Sequence, residues 1–205
     1  WIRLSMSAME AGLWRRADLK LTVSVNVSAT SLADTSYADA VTQIVTGHGL
    51  DPSEMILELT ETEAILNIAA ALENLTRLRI RGFGLAIDDY GVGYSSMQAL
   101  SRMPFTEIKI DRSFVTAAAG DPKYRLMVEH TVAVAHQLGL KTVAEGVETR
   151  AECELLSSLG CDRIQGYLVA KPVEGSGFLR WMLDRRARLG PDSFNRPPET
   201  KRFGT

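Results

Sequence analysis

Acidic and amide side chains recur in this sequence at the ends of short apolar runs, where they could bind divalent cations. The residues concerned are Asn26, Glu58, Asp88, Asp89 and Glu145. Carboxylate and amide oxygens are hard ligands that suit Mg²⁺ or Mn²⁺ better than zinc. Two such ions can bridge a phosphate and activate a water for in-line displacement. The pattern therefore predicts a metal-dependent reaction at a phosphate, with one or two ions.

Two further polar residues occupy comparable positions, because Lys109 lies within the fourth apolar run and Gln165 follows the sixth. Lys109 could orient the attacking water or offset phosphate charge, and it could act as a base only if its surroundings lowered its pKa. A salt bridge to a neighbouring carboxylate is a compatible structural role. A single strand-end acidic residue is often only a turn or cap residue. Six consecutive predicted strands that end in polar residues favour one shared site.

These residues need a scaffold in which apolar strand-like runs alternate with amphipathic helical stretches. The predicted strands lie near residues 21–26, 55–59, 83–87, 107–110, 142–144 and 161–164. The predicted helices lie near residues 37–46, 63–80, 97–102, 121–138, 149–158 and 176–187. This alternation predicts an α/β fold with parallel strands and helical crossovers.

An open doubly wound sheet and a (β/α) TIM-type barrel both fit this order of elements. No GxGxxG segment follows the first strand, which lowers the prospect of a dinucleotide-binding open sheet. Polar residues at the carboxyl ends of strands are typical of barrels, whose chemistry gathers at that face. The barrel is therefore the favoured prediction.

The composition is that of an ordinary globular domain, with 205 residues, 45% hydrophobic residues and a formal net charge of −2. This charge gives no indication of DNA binding, and no apolar run reaches the ~20 residues that span a bilayer. Cys153 and Cys161 lack the spacing of a zinc site, so we expect two free thiols in a reducing cytoplasm.

Six motifs occur together in an order and at a spacing that resemble the EAL family of cyclic-di-GMP phosphodiesterases, from residue 1 to about 175. They are Val25-Asn-Val-Ser28, Glu58-Leu-Thr-Glu61, Asp88-Asp-Tyr-Gly-Val-Gly-Tyr-Ser-Ser96, Lys109-Ile-Asp-Arg-Ser-Phe-Val115, Val143-Ala-Glu-Gly-Val-Glu-Thr149 and Gln165-Gly-Tyr-Leu168. Tyr90, Val92 and Met97 stand where the family more often has Phe, Thr and Leu. Two of these departures lie in the loop after Asp89, so loop dynamics or regulation could differ.

The resemblance implies a role for each matched residue. It implies metal ligation by Asn26, Glu58, Asp88 and Asp89, support of the second ion by Glu145, contact of Lys109 with the attacking water, a phosphate-lining Gln165, and a Glu61 that anchors the loop after Asp89. The implied reaction is hydrolysis of cyclic-di-GMP to linear pGpG with Mg²⁺ or Mn²⁺. A catalytically inactive cyclic-di-GMP receptor is the alternative, and an unrelated barrel enzyme acting on a sugar phosphate is a third reading.

The resemblance also sets expectations for the rest of the protein. The family's Glu-Ala-Leu segment would precede Trp1, so we expect an incomplete barrel with six of eight strands over residues 1–185, a tail or linker over residues 186–205, and impaired turnover by the isolated chain. The implied partners are a second copy of the domain and flanking sensory or GGDEF-type domains. The implied location is the cytoplasm, with a parent protein that could be membrane-anchored through other domains.

Overall fold

The computed structural model describes residues 2–19, 21–66, 68–91, 100 and 102–189. The chain divides into two compact units, Trp1–Lys171 and Pro172–Thr205. All six described strands lie in the first unit, and the second contains one described helix, α9 (Gly175–Leu189).

The six strands form one parallel sheet whose spatial order is the order of the sequence. They are β1 (Val23–Asn26), β2 (Met55–Thr60), β3 (Gly84–Tyr90), β4 (Glu107–Ile110), β5 (Lys141–Ala144) and β6 (Arg163–Ile164). A doubly wound sheet would reverse its strand order part-way, whereas sequential parallel strands are those of a (β/α) barrel. The predicted α/β barrel fold is therefore confirmed.

Helices connect successive strands. In the first unit they are α1 (Ile2–Arg16), α2 (Ala29–Leu32), α3 (Tyr37–Gly47), α4 (Glu61–Leu66), α5 (Ile68–Ile80), α6 (Arg112–Ala118), α7 (Pro122–Gln137) and α8 (Arg150–Ser158), with a 3-10 turn at Pro52–Glu54. Among the described residues, no helix combines the length and the apolar content that a membrane span requires.

Local signals explain the helices that the sequence predicts well. Asp121 caps α7 by accepting a hydrogen bond from the Lys123 amide, and Pro122 occupies the first turn. Thr149 and Glu152 form a capping box at the start of α8, in which each side chain accepts from the other residue's backbone amide. These end groups fix where each helix starts, as their sequence pattern predicts.

Two element predictions differ in their bounds from the structure, and three helices were not predicted. The helix expected at 63–80 starts earlier, at Glu61, and is described as α4 and α5, while the sixth strand shrinks from four residues to Arg163–Ile164. Helices α1, α2 and α6 were not predicted. In α1 the buried positions include the small residues Ala8 and Ala11, so its apolar stripe is faint in the sequence. The expected helix at 97–102 lies mostly outside the described residues, of which Leu100 and Arg102 are helical.

The core lies on both sides of the sheet, as a barrel with outer helices requires. The stretch Met55–Leu59 of β2 is buried at every position, because one face points into the barrel and the other contacts helices. One apolar cluster contains Leu57, Leu85 and Phe83, and a second contains residues of α7, α8 and β5. This packing holds the carboxyl ends of β2 to β5 side by side.

Candidate metal centre

A buried lysine lies at the centre of the polar residues at the carboxyl ends of the strands. Lys109 on β4 is 5% exposed. Its Nζ donates to Glu58 Oε2 at 2.9 Å, to Asp88 Oδ1 at 2.9 Å and to Glu145 Oε1 at 2.7 Å. These carboxylates come from β2, from β3 and from the residue that follows β5. The structure therefore brings together four of the residues that the sequence predicts as a site.

Negative charge exceeds positive charge in this cluster. Three carboxylates share one ammonium group, and Asp89 lies beside them. Desolvation, aided by the nearby Asp88 charge, raises the pKa of Asp89. Burial likewise raises the pKa of Glu145, although the hydrogen bond from Lys109 opposes this change. Crowded carboxylates of this kind are stabilised by a cation among them.

The donor atoms fit a hard divalent cation. Asp88, Asp89 and Glu145 each offer a carboxylate oxygen, and these three oxygens lie within 4.8 Å of one another. All three donors are oxygens, which is the chemistry that Mg²⁺ and Mn²⁺ prefer. These three residues would hold an ion, with Glu58 close by through their shared contact with Lys109.

The same contacts favour the protonated form of Lys109. Burial by itself lowers the pKa of a lysine, but hydrogen bonds to Glu145 and Glu58, together with the contact to Asp88, raise the pKa of Lys109 above its ordinary value. Its ammonium group therefore stays protonated. The condition under which Lys109 could act as a base, a lowered pKa, is not met by these contacts.

An irregularity at the end of β3 allows two consecutive acidic residues to face the same site. In a regular strand, Asp88 and Asp89 would point to opposite sides of the sheet. The register between β3 and β4 shifts between Ile87 and Tyr90, and Asp89 has a φ of 55°. Aspartate tolerates this left-handed conformation better than most residues. The bulge therefore re-aims the acidic pair, as bulges beside functional sites often do.

Comparison with known proteins agrees with this geometry. The family profile described as EAL domain matches residues 2–172. The chain belongs to the EAL domain family. The bifunctional diguanylate cyclase/cyclic di-GMP phosphodiesterase MucR of Pseudomonas aeruginosa is 42% identical over 157 residues, which cover 77% of this chain and 23% of MucR. The cyclic di-GMP phosphodiesterase RocR of the same organism is 41% identical over 159 residues, which cover 78% of this chain and 41% of RocR.

Solved structures share the fold. A PaMucR phosphodiesterase in a c-di-GMP complex matches with a TM-score of 0.80 at 39% identity, covering 85% of this chain and 71% of that one. Klebsiella pneumoniae BlrP1, solved at pH 9.0 with manganese and cy-diGMP, matches with a TM-score of 0.75 at 32% identity, covering 80% of this chain and 42% of that one. This EAL domain spans less than half the length of MucR or RocR.

The remaining predicted site residues of this EAL domain border the Lys109 cluster. Asn26 ends β1 directly beside Glu58 in the strand register, and it lines an open cavity of about 520 Å³ with Arg3 and Ser28. Glu61 is 3% exposed and accepts a hydrogen bond from the Gly91 amide at 2.9 Å. Gly91 directly follows β3, so Glu61 contacts the start of the segment that follows Asp89.

Gln165 lies next to the loop that carries Glu145. Its backbone amide donates to the Ala144 carbonyl at 2.8 Å, and its backbone carbonyl accepts from the Val147 backbone amide at 3.0 Å. Sequence reasoning did not single out Arg112, which pairs with Glu148 at 2.8 Å at the same end of the sheet. The available signal was the position of Arg112 just after the fourth strand.

Proposed function

We propose that this EAL domain hydrolyses one phosphodiester bond of cyclic-di-GMP to give linear pGpG, and that the reaction depends on divalent metal. The observation that supports this most directly is the excess of carboxylates around Lys109, which come from β2, from β3 and from the residue after β5. Curated relatives at 41–42% identity are named as cyclic di-GMP phosphodiesterases.

The proposed metal ligands are Asn26, Glu58, Asp88, Asp89 and Glu145. We propose that these residues would hold two ions, Mg²⁺ or Mn²⁺. When bound, such ions polarise the phosphate and lower the pKa of a coordinated water, which provides the nucleophile. The protein's own contribution is to hold five oxygen donors in place before substrate arrives, so that little reorganisation is needed during the reaction.

Lys109 is proposed to act as a fixed cation. Its ammonium group keeps Glu58, Asp88 and Glu145 at hydrogen-bond distance from one atom, which limits their movement. These three contacts use all three N–H groups of the ammonium, so Lys109 can donate to an attacking water only when one of the carboxylates turns to a metal ion. Its positive charge can offset negative charge on the phosphate in either arrangement. Its raised pKa supports this donor role.

Gln165 and Glu61 are proposed to act at the edges of the site. The backbone of Gln165 is hydrogen-bonded to Ala144 and Val147 on either side of Glu145. We propose that its side-chain amide contacts the phosphate or the water. Glu61 fixes the Gly91 amide at the start of the loop after Asp89, which supports its role as loop anchor. The loop itself lies largely outside the described residues.

Assembly and context are proposals as well. The side chains of Leu126 and Met127 on α7 are 53% and 49% exposed, and such apolar exposure supports a homodimer through the barrel. MucR is named as bifunctional, with a diguanylate cyclase activity, so a flanking GGDEF-type or sensory domain is proposed for the parent of this chain. We propose that the domain acts in the cytoplasm and that residues 186–205 form a tail or linker.

The decisive experiment uses the full-length protein that carries this domain. Purified protein is incubated with cyclic-di-GMP and Mg²⁺ or Mn²⁺, and the nucleotides are separated by chromatography. We expect pGpG to appear, and we expect EDTA to stop its formation. Tight binding of cyclic-di-GMP without turnover would instead support the receptor alternative, and neither binding nor turnover would refute both.

A further inference from the structure

The strand that leads to Gln165 is too short to fix its own position. β6 contains only Arg163 and Ile164, which pair with Val143 and Ala144 of β5. Register is set by the number of ladder contacts and by which side chains are buried, and a one-residue slip turns every side chain to the other face. Two ladder pairs specify the register weakly, so other contacts must hold β6 in place.

On the carboxyl side, the turn after β6 lies directly on the loop after Glu145. The Leu168 amide donates to the Val147 carbonyl at 3.0 Å, and Gln165 contacts both Ala144 and Val147 through its backbone. A Cβ added to Gly166 would lie 2.2 Å from the Val147 carbonyl oxygen. Because the two segments are in such close contact, a shift of β6 displaces Gln165 relative to Glu145.

On the amino side, Asp162 binds the start of β6 to β5. Its Oδ2 accepts from the Thr142 amide at 2.8 Å, from Thr142 Oγ1 at 2.8 Å and from His136 Nε2 at 2.9 Å. The Asp162 amide in turn donates to Thr142 Oγ1 at 3.1 Å. Thr142 is fully buried. This exchange of hydrogen bonds is possible in only one register of the two strands.

Arg163 adds a contact that reaches past β5 to β4. Its Nη1 lies 2.7 Å from Glu107 Oε1, and the Glu107 side chain is only 9% exposed. Arg163 and Glu107 are 56 residues apart in the sequence. A register that separated Arg163 from Glu107 would leave the Glu107 carboxylate buried without its charged partner, which is energetically costly.

We propose that Glu107, Thr142, Asp162 and Arg163 form a register clamp that positions Gln165 for the reaction. This inference rests on the proposed function, because Gln165 acts there on the phosphate or water. Glu107 begins β4, two residues before Lys109, and Arg163 pairs with Val143, the β5 residue that also pairs with Lys109. The clamp contacts join β4 and β5 to the start of β6, so we expect them to affect turnover through the position of β6. They are positioning residues, and their effect on turnover depends on the Gln165 side chain.

The first test compares two ion pairs of similar geometry in the full-length protein. Arg163→Gln removes the pair with Glu107, and Arg15→Gln removes the pair between Arg15 and Glu54, which is also 2.7 Å long with the arginine 44% exposed. We expect Arg163→Gln to lower kcat for cyclic-di-GMP roughly ten- to a hundredfold with KM nearly unchanged, because small misplacements of catalytic groups are costly. Arg15→Gln should leave kcat unchanged, and equal effects of the two variants would overturn the proposal.

A double-mutant cycle separates positioning from general destabilisation. In a Gln165→Ala background, Arg163→Gln should cause no further loss of kcat, because the group that it positions is already absent. If the two losses multiply instead, the clamp does not act through Gln165 and the proposal is overturned. Asp162→Asn, a milder change within the clamp, should show the same dependence on Gln165.

Hydrogen exchange tests the clamp without requiring turnover. The amides of Gln165 and Leu168 donate to Ala144 and Val147, so both should be protected in the wild type. We expect both to exchange faster in Arg163→Gln and to be unchanged in Arg15→Gln. Unchanged exchange in Arg163→Gln would overturn the clamp even if the protein is an active phosphodiesterase. A wild type without turnover would refute the proposed function and leave the exchange result standing.

Discussion

The two ends of the sheet both contain buried or half-buried carboxylates, but they differ in the number of cationic and hydrogen-bonding partners for each carboxylate. At the amino end, Glu107 has Arg163 as its partner, and Asp162 has His136 and Thr142. At the carboxyl end, Glu58, Asp88 and Glu145 share the single ammonium group of Lys109, with Asp89 beside them.

This difference separates groups that hold the fold from groups that serve a ligand. A carboxylate with its own donors needs nothing further, and its removal should lower stability. Carboxylates in excess repel one another, so the folded state gains when a cation binds. Chemistry at the carboxyl face and stability at the amino face are the usual division in (β/α) barrels.

The largest effect should come from Asp88→Asn at the carboxyl end. Loss of this carboxylate removes a proposed metal ligand, and metal contributions of several kcal/mol correspond to a loss of turnover of at least roughly a thousandfold. Turnover of cyclic-di-GMP with Mn²⁺, followed by chromatography, measures it. Cys153→Ser on α8 is the control and should retain activity. Equal activity of the two variants would exclude Asp88 from the metal site.

Lys109→Met should destabilise the metal-free protein. It leaves three carboxylates together in a buried site without their cation, and breaking a buried ion pair in this way costs about 3–5 kcal/mol. Urea unfolding measures the loss, and Mn²⁺ should restore more stability to this variant than to the wild type. Lys141→Met, at an exposed position on β5, should change little in either condition. If Mn²⁺ does not reduce the loss of unfolding free energy in Lys109→Met, that result would argue against a cation site.

Asp162→Asn should cause a smaller, pH-dependent loss at the amino end. Burial opposes ionisation of this group, but hydrogen bonds from His136 and Thr142 outweigh it and hold the pKa of Asp162 below 3.8. A lowered carboxyl pKa stabilises the fold above the ordinary pKa, and this contribution is lost as the pH falls through the folded-state value. The variant should therefore be less stable than wild type by about 1 kcal/mol near neutral pH, since partial exposure screens the charge.

Urea unfolding at several pH values checks the sign of this effect. The difference between wild type and Asp162→Asn should be steady down to about pH 5 and should shrink as the pH falls below 3.8. A difference that stays constant down to about pH 3, or that grows, would contradict the assigned role of the carboxylate.

The smallest effect should come from Arg15→Gln. The pair between Arg15 and Glu54 lies near the surface, with the arginine 44% exposed, and exposed pairs contribute about 0.2–1 kcal/mol. The loss should be nearly abolished in high salt, because screening weakens exposed charges. A loss comparable to that of Lys109→Met would undermine the distinction drawn here between the two ends of the sheet.

The sequence predicts the fold best where a local signal marks each element. The caps at Asp121 and Thr149 mark the starts of α7 and α8, and both helices appear as expected. Helix α1 is not predicted because its buried face includes small residues, and β6 is shorter than the strand predicted at residues 161–164. Propensity and periodicity describe each segment by itself. They do not show how many of its residues pair with the neighbouring strand.

The residue types of the candidate site follow from the sequence alone, because polar groups at the ends of apolar runs must meet at one face of a parallel sheet. Only the tertiary structure decides how they pair. Lys109 and Glu58 are 51 residues apart, and their contact depends on strand register and on the bulge before Tyr90. The charge of Lys109 and the clamp on β6 likewise arise from contacts between distant strands, which no local pattern in the chain specifies.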